Sequence, residues 1–94
     1  MELSNYQMIK NKVTGISRVR LNFGKDLALS IITGQGAMCT ENRPYEIAVL
    51  QNGKITNMVG INDQQVLGYL SEDDVNCIIK KLYTITGQEP MEAS

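Results

Sequence analysis

Residues 44–60, PYEIAVLQNGKITNMVG, decide the fold. Two runs rich in apolar and β-branched residues flank Asn52-Gly53. That dipeptide most readily takes the positive φ angles required at both central positions of a type I′ turn, so the stretch predicts a two-residue β-hairpin. The turn sets the register. With Gln51 opposite Lys54, Val49 faces Thr56 and Ile47 faces Met58 on one side of the ribbon, while Leu50 meets Ile55 and Ala48 meets Asn57 on the other. The first side, extended by Tyr45, is the more apolar and is expected to be buried.

Upstream of the hairpin the chain reads as further strands. Residues 6–13, YQMIKNKV, alternate loosely and end at the turn signal Thr14-Gly15. The next run, ISRVRLNF, alternates strictly: Ser17, Val19, Leu21 and Phe23 share one face, and Ile16, Arg18, Arg20 and Asn22 the other. Arg18 and Arg20 therefore point the same way. Gly24-Lys25-Asp26 makes a second turn, and LALSIIT is a third strand of half-buried character. Residues 33–44, TGQGAMCTENRP, form the longest segment without periodicity. They make either a plain connecting loop or a binding loop, in which the Gly34 and Gly36 amides and the Thr40 hydroxyl could meet an anion, with Arg43 held beside Pro44. A lone Gly-x-Gly has neither the third glycine of a dinucleotide fingerprint nor the Gly-Lys-Ser/Thr of a Walker loop.

Downstream, QQVLGYL predicts a strand or extended lead-in to a well-marked helix. Ser71 is its N-cap and Asp74 stands at the capping-box position. Glu72 and Asp73 suit the positive end of the dipole, and Leu70 with Val75 fits a hydrophobic staple. Val75, Ile78, Ile79, Leu82 and Ile85 recur at helical spacing, and Gly87 ends the helix. These elements predict one α+β domain over residues 1–87. A small antiparallel sheet of about five or six strands, centred on the Asn-Gly hairpin, is packed on one face by one C-terminal helix. Residues 88–94 are expected to be a disordered tail. A single helix covers only part of such a sheet, so a homo-oligomer is expected.

Composition narrows the chemistry. Apolar residues at 43% and charged residues at 20% fit an ordinary globular domain. The N-terminus lacks the apolar run of a signal peptide and no run is long enough to span a membrane, so a cytoplasmic protein is expected. There is no histidine, and Cys39 and Cys77 lack metal-ligand spacing. Both are read as reduced and structural, with no metal site and no cofactor. Glu72-Asp73-Asp74 is explained by helix capping, and the thiols lack their usual base, so no enzyme is expected. Net charge is −1, yet residues 1–44 sum to +3 and residues 45–94 to −4. That balance disfavours duplex nucleic acid and favours a small anionic ligand or an acidic protein surface.

The series LSIITGQGAMCT, RPYEIAVLQNG and QVLGYLSEDDVNCIIKKL, over residues 29–82, resembles a recurrent pattern in small uncharacterised proteins encoded by tailed bacteriophages. The loop GAMCTEN departs from the tyrosine and glycine of that pattern. The resemblance implies a non-enzymatic binding protein acting in the host cytoplasm, and it brings no catalytic residues with it. Two functions follow. One is a counter-defence sponge that sequesters a phosphate-containing, cyclic nucleotide-like signal. Its phosphates would be held by Arg18, Arg20, Arg43 and the Gly34–Thr40 backbone, including Gly36, with Tyr45 or Tyr69 stacked on a base. The other is an inhibitor that occludes a host protein.

Overall fold

The computed structural model describes residues 2–34, 43–57 and 66–93. Their architecture is α+β: a seven-stranded antiparallel sheet packed against one helix. Three long strands make the centre, β2 (Ser17–Asn22), β3 (Leu27–Thr33) and β4 (Tyr45–Gln51). The outer edge of β2 is shared by β1 (Ile9–Lys10), against Ser17 and Arg18, and β7 (Met91–Ala93), against residues 20–22. The outer edge of β4 is shared in the same way by β5 (Lys54–Thr56) and β6 (Leu67–Leu70). The sheet is thus five columns wide, with each flanking column assembled from two short pieces.

Register follows the hydrophobic alternation. Val19 pairs with Ile31 and Ile31 with Ile47, while Leu21 pairs with Leu29 and Leu29 with Val49. All six side chains are buried on one face. A one-residue slip would turn the whole set outward, which is why this pattern specifies its pairing strongly. The hairpin has the expected pairs Val49–Thr56, Leu50–Ile55 and Gln51–Lys54, with Asn52 at φ 54° and Gly53 at φ 78°. Met58 lies outside the described residues.

The buried face is covered by α1 (Glu72–Thr86) and by a 3₁₀ turn (Leu3–Asn5). Ser71 and Asp74 form a reciprocal capping box: the Asp74 amide donates to Ser71 Oγ at 3.2 Å, and the Ser71 amide to Asp74 Oδ2 at 2.9 Å. Gly87 closes the helix in the left-handed region, its amide donating to the Tyr83 carbonyl. Val75, Ile78, Ile79 and Leu82 enter the core. Ile85 does not; at 57% exposed it lies beyond the sheet that the earlier turns cover. Leu3 joins the core, and its amide donates to Asn76 Oδ1 at 2.7 Å, pinning the N-terminal turn to the helix.

Two expectations are corrected. The loosely alternating residues 6–13 supply only the two-residue β1. Of the expected disordered tail 88–94, residues 88–93 are described and ordered: Pro90 is buried, and Met91–Ala93 pairs with β2. The cause is the short β1, which leaves the second half of β2 unpaired, an open row of amides and carbonyls that the returning chain satisfies.

Candidate anion-binding groove

Beside the edge where β1 and β7 meet β2, a groove of about 700 Å³ opens to solvent. It is built by the alternation of β2: Val19 and Leu21 turn into the core and send Arg18 and Arg20, both exposed, to the opposite face. Lys10 of β1 and Glu92 of β7, the one lining carboxylate among the described residues, also border it, but their partners Ser17 and Leu21 place both on the core-side face of the sheet, opposite the two guanidinium groups. Glu92 Oε1 already accepts the Gln7 amide at 2.6 Å, so part of its charge is spent on joining the two edge segments.

The rim at the β1–β2 turn is held by Asn11. Its carbonyl accepts the Gly15 amide at 2.8 Å, and its Oδ1 accepts the amides of Val13 at 2.8 Å and Thr14 at 3.2 Å. Thr14 Oγ1 in turn accepts the Ile16 amide at 3.2 Å. These local bonds let the turn stand without a hydrophobic anchor, and Val13 at its tip is 94% exposed. Asn11, Thr14 and Gln7 also line the groove and add neutral hydrogen-bonding groups to it. An anion entering it would meet two guanidinium groups on one strand face, a geometry suited to bidentate contact with phosphate or carboxylate.

The remaining residues singled out by sequence fall elsewhere. Gly34 ends β3 and packs on the β1–β2 turn: a Cβ added there would stand 2.7 Å from the Gly15 carbonyl oxygen. The close backbone approach accounts for this glycine. Gly36, Thr40 and Cys39 lie outside the described residues. Tyr45 pairs with Thr33 and Leu70 and packs against the core, on the sheet face opposite Arg18. Arg43 sits at the helix entry, where its Nη1 donates to the Tyr69 carbonyl at 3.4 Å. Tyr69 is a β-bulge residue at φ 57° and is 48% exposed. The structure therefore brings together Arg18 with Arg20, and separately Arg43 with Tyr69. Lys10 belongs to the acid-free run of five cations from Lys10 to Lys25, which the sequence marks as a positive stretch, whereas Gln7 and Glu92, whose approach depends on the β1 and β7 pairings, carry no such signal.

Electrostatics at the helix entry are those of a cap. Hydrogen bonds from the Ser71 backbone and side chain hold Asp74 below its ordinary value, with a smaller contribution from Arg43. Burial, and then Glu72, raises Tyr45; burial, and then Glu89 and Glu92, raises Tyr6. All three shifts lead away from neutral pH. Among the described residues, no group of three or more metal-ligating side chains is found, and no buried side-chain polar atom lacks a hydrogen-bond partner. No helix there is long and apolar enough to cross a membrane. Comparison with protein-family models, curated proteins and solved structures returns no match.

Proposed function

We propose that this chain is a phage-encoded, non-enzymatic binding protein of the host cytoplasm, whose β1–β2–β7 groove sequesters a small phosphate-containing ligand, a cyclic nucleotide-like defence signal. The single observation that carries the proposal is the pair of exposed guanidinium groups, Arg18 and Arg20, on one strand face at an open groove, where the one lining carboxylate among the described residues, Glu92, is already engaged. Arg18 and Arg20 supply planar forks, and Asn11, Thr14 and Gln7 neutral hydrogen-bonding groups for ribose or base edges.

A thermal-shift screen with cyclic di- and trinucleotides, cyclic ADP-ribose isomers and inorganic phosphate tests the proposal. A ligand at a hundred times its dissociation constant adds about 2.7 kcal/mol. That shift should be lost in Arg20→Ala, reduced in Arg18→Ala, and kept in Arg43→Ala, which lies at the helix entry. The competing function, occlusion of a host protein, is favoured by the exposed Val13 at the groove rim. A stabilising ligand whose effect ignores Arg20 and Arg18 would remove the groove from the account.

A further inference from the structure

The sheet face opposite α1 has a charge and apolar pattern that is complementary to itself. Adding the register pairs across the strands gives two informative rows. One runs Ile9–Arg18–Ile32–Glu46 and ends at the bulge Gly68–Tyr69, which stands opposite Glu46. The other runs Met91–Asn22–Ala28–Leu50–Ile55. In both rows β3 occupies the middle. Four of the six exposed large hydrophobics of the described chain, Ile9, Tyr69, Met91 and Ile55, lie at the row ends, at 48–69% exposure.

We propose that this face is an isologous dimer interface with a second copy of the chain, its two-fold axis running along β3. A two-fold in that direction exchanges the columns either side of β3 and keeps the rows. Arg18 of each copy then faces Glu46 of the other, Ile32 meets Ile32 on the axis, and Met91 lies over Ile55. Ile9 lies over the bulge that carries Tyr69. An axis across the strands would instead stack Arg20 on Arg20, whereas the axis along β3 sets Arg20 over the small Ala48 of the other copy and pairs Arg18 with Glu46, so the charges favour the axis along β3. Two sheets packing in this way stand about 10 Å apart with strands within about 30° of alignment, the geometry of a β-sandwich. Five columns at about 4.8 Å give a face about 20 Å wide, which places the contact at the small end of specific interfaces. Dissociation in the micromolar range follows. The dimer interface involves no ligand, and because Arg18 and Arg20 both lie on this face, dimer and ligand compete for the same two guanidinium groups.

Charge exchange tests the axis. Sedimentation equilibrium should give a concentration-dependent dimer for the wild type at about 10–100 µM, the range of a small interface. Arg18→Glu and Glu46→Arg should each weaken it about 10- to 100-fold by setting like charges opposite one another. The double variant R18E/E46R should restore it. Ile55→Lys, on an exposed edge position and so harmless to folding, should weaken the dimer as well. Circular dichroism establishes that each variant is folded. A wild type that stays monomeric throughout this range, folded single variants that dimerise as the wild type does, or a folded double variant that does not regain the dimer would each overturn the proposal.

Discussion

Replacing Gly34 by alanine tests how the β1–β2 turn, the rim of the groove, is held on the sheet. Gly34 has φ 123°, a region that side chains rarely adopt. An added Cβ would stand 2.7 Å from the Gly15 carbonyl oxygen and 3.2 Å from Ile16 Cα. Both neighbours are main-chain atoms, so neither can swing aside as the end of a flexible side chain would. Gly53 is the control, with φ 78° and nothing within 4 Å of an added Cβ. The two substitutions reduce unfolded-chain freedom alike, by about 0.4–1 kcal/mol. Both also incur a positive-φ cost of about 1–3 kcal/mol. Only Gly34→Ala adds a main-chain clash, so it should lose about 2–4 kcal/mol against about 1 for Gly53→Ala. In a domain of this size each kcal/mol lowers Tm by about 4–8 °C. Urea unfolding monitored by circular dichroism, with thermal melts in parallel, measures the difference. Equal losses at the two positions would refute the packing of Gly34 on the Gly15 turn.

Other perturbations give separate readings. Ile79 is fully buried in α1, so Ile79→Ala should cost about 2–5 kcal/mol in the same unfolding assay, whereas Ile85→Ala, at an exposed position, should stay within about 0.5 kcal/mol. Ser71→Ala removes the N-cap acceptor and should cost about 1 kcal/mol. Asp74 is held below its ordinary value of 3.8 by Ser71; its contribution is therefore complete above the unfolded value and disappears as pH falls through the lower folded one. Stability measured between about pH 2 and 6 should thus fall less steeply on the acid side in Asp74→Asn than in the wild type. Truncation after Gly87 removes the β7 pairing and the buried Pro90 and should cost about 1–3 kcal/mol, from a few edge hydrogen bonds at about 0.5–1.5 each; an unchanged melting curve would return residues 88–94 to the status of a passive tail.

Local chemistry carried most of the fold. Asn52-Gly53 determines the turn, and with it the pairs from Gln51–Lys54 to Val49–Thr56. Strict alternation in residues 16–23 assigned Arg18 and Arg20 to one face, and Ser71 with Asp74 marked the helix start. What escaped were pairings that depend on vacancies elsewhere. Met91–Ala93 carries no strand signature of its own; it becomes a strand because β1 is too short to cover β2. The candidate site was half legible for the same reason. Arg18 and Arg20 share a strand and could be placed together. Arg43, by contrast, is drawn to the Tyr69 carbonyl at the helix entry, and the β1 pairing sets Ile9, not Lys10, beside Arg18.

The most direct test of the groove is amide chemical-shift mapping of the isotopically labelled protein, titrated with cyclic dinucleotides, cyclic ADP-ribose isomers and inorganic phosphate. Saturable changes should centre on Lys10, Asn11, Thr14, Arg18 and Arg20 and vanish in Arg20→Ala. Changes centred instead on Arg43, Tyr45 and Tyr69, or no saturable change with any of these anions, would contradict an anion-binding role for the groove.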